Sequence, residues 1–253
     1  MTTLTIPAGK KIYFSSDNHL GAPSRHASAE REKKFVRWLD TIKQDAVAIF
    51  LLGDLFDFWF EYKHVVPKGY TRTLGKLAEL TDQGIPVFFF VGNHDLWMNG
   101  YFEEELNINV FHNPKEFTLN DKLFLIGHGD GLGPGDKGYK RMKKVFTNPV
   151  AKWLFRWLHP DLGMKIGHFF SVKNKLISGK EDLNYKGPDQ EWLVQYAKGK
   201  LEESHYDYFI FGHRHLPLEI ELKGASKYIN LGDWIQHYTF GEFDGQQVQL
   251  KKF

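Results

Sequence analysis

FFFVGNHDLW, residues 88–97, passes from four apolar residues to an amide, an imidazole and a carboxylate without a spacer. Phe88 to Val91 reads as a buried strand, by its length, its bulk and its lack of polar alternation. Asn93, His94 and Asp95 then stand at the strand's carboxyl end. The transition recurs along the chain. KIYFSS (11–16) runs into Asp17 and His19, AVAIFLL (46–52) into Asp54 and Asp57, KLFLIG (122–127) into His128, and YDYFIFG (206–212) into His213 and His215. In an open α/β sheet the carboxyl ends of the strands form the ligand crevice. Residues far apart in sequence are therefore expected to meet there.

Helical patterns lie between the early strands. Residues 28–44 carry Phe35, Trp38, Leu39 and Ile42 at amphipathic spacing, with Ser28 as the expected N-cap. Residues 71–84 repeat the pattern with Leu74, Leu77 and Leu80 and end on Gly84, a C′ glycine. Strand alternating with helix predicts an α/β fold with a mostly parallel sheet. The last stretch, from Lys227, predicts short strands about the Asp244-Gly245 turn.

Composition narrows the chemistry. The 253 residues include no cysteine and twelve histidines, with a net charge of +2. Disulfides and thiolate metal sites are thereby excluded, and any metal must be held by His, Asp, Glu or Asn. No apolar run approaches the ~18 residues of a membrane span. The N-terminus lacks the basic and apolar regions of a signal peptide, so the cytoplasm is the expected compartment. No repeat at a fixed period and no low-complexity tract is present.

Between Lys137 and Lys175, ten Lys/Arg stand against one acid, Asp161, with seven aromatics interleaved. Asn148-Pro149 is a good helix start, after which Val150, Trp153, Leu154, Trp157 and Leu158 fall on one face. This reads as a helical insertion at 137–175 within a single domain, 1–253. A packing element with its aromatics inward and a nucleic-acid surface are the competing readings.

Imidazole, carboxylate and amide oxygen together suit borderline-hard divalent ions. Taken singly, a D-x-H or G-D is an ordinary solvated loop, an H-x-H an ordinary strand-end pair, and Asp57 a helix cap. In order, each behind an apolar strand, they point to a common site. One carboxylate shared between two ions would give a dinuclear centre able to activate water and to clamp a phosphoryl group.

The ordered blocks Asp17-Asn18-His19, Gly53-Asp54-Leu55-Phe56-Asp57, Gly92-Asn93-His94-Asp95, His128 and Gly212-His213-Arg214-His215 resemble the calcineurin-like metallophosphoesterase superfamily. The resemblance implies a central β-sandwich flanked by helices and two divalent ions, Mn²⁺ first among them. It assigns Asp17, His19, Asp54 and His215 to one ion, and Asp54, Asn93, His128 and His213 to the other. It makes His94 the catalytic histidine, assisted by Asp95, with Asp57 and Asp95 orienting ligands.

The basic aromatic segment, directly after GHGDGLGPGD, resembles the helical cap of the UDP-2,3-diacylglucosamine hydrolases. That likeness implies a peripheral enzyme at the inner face of the inner membrane, acting in lipid A synthesis. Such enzymes cleave an acylated nucleotide sugar to UMP and 2,3-diacylglucosamine 1-phosphate. It also implies substrate contacts at Asn93, His94, Asp136, Ser171, Lys175 and His213. The best-known members of that family carry an Arg where this chain has His94. Nucleic acid and obligate protein partners are not expected. Hydrolysis of another nucleotide or phosphodiester is the alternative activity. A non-catalytic scaffold on the same fold is disfavoured because every ligand position is filled.

Overall fold

A computed structural model of the chain describes residues 2–135, 137–178, 185 and 187–253. Its strands are β1 (Thr2–Leu4), β2 (Lys11–Ser15), β3 (Ala46–Leu51), β4 (Val87–Phe90), β5 (Asn109–Phe111), β6 (Lys115–Leu119), β7 (Lys122–Ile126), β8 (Tyr208–Phe211), β9 (Pro217–Glu221), β10 (Lys227–Leu231), β11 (Thr239–Phe243) and β12 (Val248–Lys252). The helices are α1 (Arg25–Ile42), α2 (Thr71–Asp82), α3 (Tyr101–Leu106), α4 (Lys137–Phe146), α5 (Pro149–Arg156), α6 (Pro160–Ser178) and α7 (Trp192–Glu203).

The strands form two six-stranded sheets, ordered β12-β11-β2-β3-β4-β5 and β1-β6-β7-β8-β10-β9. Side chains alternate across each strand and separate three apolar layers. Phe14, Phe50, Phe88 and Phe90 face Phe117, Phe124, Ile126 and Ile210 between the sheets. Tyr13, Ile49, Leu51 and Phe89 point the other way, beneath Trp38 of α1, Leu77 of α2 and Phe102 of α3. On the second sheet, Leu125, Phe209 and Tyr228 lie beneath Leu193 and Val194 of α7. Strands buried on both faces explain the continuous apolar runs in the sequence.

The strands that deliver the polar residues do not share one open sheet. β2, β3 and β4 run parallel in the first sheet, and β7 and β8 run parallel in the second. The crevice lies where the carboxyl ends of both sheets meet. Antiparallel strands extend the sheets, β11 and β12 on one and β9 on the other. The β11–β12 turn is the expected one: Asp244 accepts from the Gln246 and Gln247 N–H groups.

Helix α1 starts three residues before its expected first residue. Ser24 is its N-cap and accepts from the Ala27 N–H at 3.2 Å. Ser28 lies buried inside the first turn, where its hydroxyl accepts from the Gly21 N–H at 2.9 Å. Helix α2 ends as expected, with Gly84 at φ +79° after the C-cap. Asn148 caps α5 through the Val150 and Ala151 N–H groups.

Candidate metal centre

Five of the polar strand-end residues hold a left-handed backbone: Asp17, His19, Asp54, His213 and His215, with φ between 44° and 68°. Such conformations cost on the order of 1 kcal/mol or more each and persist only where the surroundings enforce them. Close packing of the loops is one enforcement. A Cβ on Gly53 would lie 2.7 Å from both the Gly92 N and the His128 Nδ1, and a Cβ on Gly92 would strike the Asp54 carboxylate. Only glycine leaves room for Asp54 to sit between the strand ends.

Asp54 is buried, and its two oxygens have different duties. Oδ1 accepts from the His94 N–H at 2.8 Å. Oδ2 lies 3.6 Å from His19 Nε2 on one side and 3.5 Å from His128 Nε2 on the other. Around the first side, His215 Nε2 is 3.2 Å from Asp17 Oδ1 and 3.2 Å from His19 Nε2. Around the second, Asn93 Oδ1 is 3.1 Å from His128 Nε2 and 2.9 Å from His213 Nδ1. All seven strand-end residues expected to hold metal therefore gather in two groups about one carboxylate oxygen.

Groups behind the imidazoles set their orientation. His128 Nδ1 donates to the Leu52 carbonyl at 2.6 Å. His19 Nδ1 is 3.5 Å from Asp57 Oδ1, and His215 Nδ1 is 3.6 Å from Asp233 Oδ2. Asp233 is further held by the N–H groups of Ile235, Gln236 and His237. It follows β10 as Gly232-Asp233, the same strand-end pattern that marks Asp54, and that pattern could have revealed it in the sequence.

Charge follows from this crowding. Burial would push the Asp17 carboxyl up, but His215 beside it, then His128 and His19, hold it well below its usual range. For Asp54, burial is likewise overcome, chiefly by His128, with His94 and His19. Burial, then His128, pulls His213 down to about 4. His215 rises to about 10, because Asp17 and Asp233 outweigh its burial. A set of buried anions and imidazole nitrogens aimed at one another is the donor chemistry that borderline divalent cations complete. Asp17, His19, Asp54 and His215 could hold one cation by the mutual approach of their ligating atoms.

Asp95 stands apart from the cavity. Its oxygens accept from the Gly92 N–H at 2.7 Å and the Leu55 N–H at 2.9 Å, tying two strand-end loops together. Burial, followed by repulsion from Asp54, lifts its carboxyl to about 7. His94 is at the cavity, its Nδ1 2.9 Å from the Asp57 carbonyl oxygen. Ser171, on α6, is buried beside it. Asp136 lies outside the described residues, as does the side chain of Lys175.

The cavity measures about 760 Å³. Asn93, His94 and His213 form part of its polar side, while Phe58, Trp97, Phe146, Phe155 and Phe170 line its apolar side. Trp97 Nε1 donates to the Phe146 carbonyl at 2.6 Å, and its ring lies 4.7 Å from Phe155. A second anchor joins α4 to the loop after His128: Asp130 accepts from Lys143 Nζ and the Tyr139 hydroxyl, both at 2.5 Å. Arg214 lines the cavity as well, gripped by Glu191 at 2.9 and 3.1 Å. The expected apolar face of α5 exists but points to solvent, with Trp153 56% and Trp157 76% exposed.

The Calcineurin-like phosphoesterase family matches residues 10–217 of the chain. A UDP-2,3-diacylglucosamine hydrolase from Porphyromonas gingivalis is 36% identical over 253 residues, covering 95% of this chain and 97% of the relative. Proteins of the same name from Shewanella sp. and Edwardsiella ictaluri are 28% and 26% identical. Those alignments cover 89% and 94% of this chain, and 92% and 90% of the relatives.

Proposed function

The chain belongs to the calcineurin-like phosphoesterase family of metal-dependent hydrolases, and we propose that it hydrolyses the pyrophosphate of UDP-2,3-diacylglucosamine, releasing UMP and 2,3-diacylglucosamine 1-phosphate. One observation carries this reading. Two groups of ligating atoms share Asp54 Oδ2 at the polar side of a cavity whose other side is aromatic. Such a cavity suits a substrate that is anionic at one end and apolar at the other.

Asp17, His19, Asp54 and His215 would hold one divalent cation, and Asp54, Asn93, His128 and His213 the other, with Mn²⁺ as the native metal. Bound there, the two cations supply Lewis-acid charge and lower the pKa of a water. The protein's own part is orientation. His94 Nδ1 donates to the Asp57 carbonyl, which leaves Nε2 as the nitrogen that can hold or give a proton at the reacting phosphate. Asn93 and His213 border the same space, and the aromatic wall stands on its other side.

The three-helix segment α4–α6 serves as the cap over this cavity. Phe155 and Phe170 face inward to receive acyl chains. Val150, Trp153, Leu154 and Trp157 are exposed and flanked by Lys144, Lys152 and Arg156, a composition that favours an anionic membrane surface. Among the described residues no helix is long and apolar enough to cross a membrane, so the proposed association is peripheral.

The test is hydrolysis of UDP-2,3-diacylglucosamine with Mn²⁺, run beside bis-p-nitrophenyl phosphate. Release of UMP, abolished by chelation, is the expected result. Hydrolysis of the small diester alone would overturn the lipid substrate and leave the metal chemistry standing.

A further inference from the structure

We propose that Ser171 of α6 is a positioning residue for His94, so that docking of the three-helix segment and orientation of the catalytic imidazole are one event. The inference rests on the reading of His94 as the group at the reacting phosphate.

Ser171 is only 6% exposed, and its hydroxyl meets two partners at once. Oγ donates to Asp57 Oδ2 at 2.8 Å and lies 3.1 Å from His94 Nδ1. Proton positions follow from what each group can do. The Asp57 carbonyl, 2.9 Å from His94 Nδ1, can only accept, so Nδ1 carries a proton. The Ser171 proton is committed to the Asp57 carboxylate, so its oxygen offers a lone pair to the same Nδ1–H. The imidazole N–H is thus shared between a backbone carbonyl and a hydroxyl brought from another element. This fixes the plane of the ring and its tautomer, with Nε2 as the exchanging nitrogen. The ring also stands edge-on to His19, with centroids 4.7 Å apart at 87°.

The sequence of α6 is built for this approach. A Cβ on Gly167 would collide with the Phe58 ring, so glycine there lets the helix lie directly on the loop that carries Asp57. Ser171 follows four residues later, on the same face of the helix. His168, three residues before Ser171, places Nδ1 3.6 Å from Asp57 Oδ2. Two α6 side chains thus converge on one buried carboxylate that also backs His19. The catalytic histidine is steadied through the helix that covers the substrate.

A double-mutant cycle tests this. Ser171→Ala, Ser171→Thr, His94→Ala and the Ser171→Ala/His94→Ala pair are assayed on bis-p-nitrophenyl phosphate with Mn²⁺, each with its bound metal counted. We expect Ser171→Ala to lower kcat about tenfold, with KM changed less than about twofold, and Ser171→Thr to recover most of the loss. In the His94→Ala background the same serine change should cost less than about twofold. An equal cost in both backgrounds, no cost at all, or a loss confined to KM for the diester would overturn the proposal. The last of these would make Ser171 a substrate contact. Because the cycle is read on the small diester, its outcome is independent of whether the wild type releases UMP.

Discussion

At the strand ends, Asp17, His19, Asp54, His213 and His215 accept a costly left-handed backbone, and the three imidazoles among them face carboxylate or amide oxygens. Across the cavity, α4–α6 is held by separate anchors: Lys143 and Tyr139 on Asp130, Phe146 on Trp97, Phe155 on Phe60 and Trp97, and Ser171 on Asp57. Its α5 turns an apolar face outward. The difference follows from what each region must do. Ligating atoms have to be placed within tenths of an ångström, so they sit on strands whose two faces are both packed. A wall that receives long flexible chains needs area and adaptability, which helices tethered at a few points provide.

The largest effect should come from removing the shared oxygen. Asp54→Ala takes away the carboxylate that both groups approach, and we expect at least about a thousandfold loss of kcat/KM on every substrate. Mass spectrometry of the purified variant should find little bound metal. Loss confined to the lipid substrate would break the division between the two regions.

A smaller effect, still on the rigid side, is expected at Asp233. Asp233→Asn keeps the shape but weakens the support behind His215, and metal affinity should fall about 10- to 100-fold. Titration of activity with Mn²⁺ reads this as a rightward shift that excess metal rescues. An unmoved titration would mean that Asp233 serves only the turn at 235–237.

The mildest change belongs to the adaptable side. Trp153→Ala with Trp157→Ala removes two exposed aromatics, so binding to vesicles containing anionic lipid should weaken about tenfold. Turnover of bis-p-nitrophenyl phosphate should stay within about twofold. Equal losses in both assays would show that α5 supports the centre instead of meeting a surface.

The strand-end pattern made the centre readable from sequence because β2, β3, β4, β7 and β8 are buried on both faces, and such strands print as unbroken apolar runs. Strands β1, β5, β6 and β9 are short or mixed in polarity and left no such mark. Apolar runs also carry no label of sheet membership, so the split of the five strands between two sheets was invisible. Periodicity placed Val150, Trp153, Leu154 and Trp157 on one face of α5, but it cannot tell an inward face from an outward one. Pairings such as Asp130 with Lys143 and Glu191 with Arg214 depend on tertiary proximity and have no fixed sequence spacing. Ser24 caps α1 in place of the expected Ser28 because the apolar periodicity starts late; the first turn, Arg25 to Ser28, is largely polar.

The most direct measurement is diffraction from Mn²⁺-loaded crystals at the manganese absorption edge. Two anomalous peaks are expected to flank Asp54 Oδ2, one bounded by Asp17, His19 and His215 and the other by Asn93, His128 and His213. A single peak, or peaks away from Asp54, would contradict it.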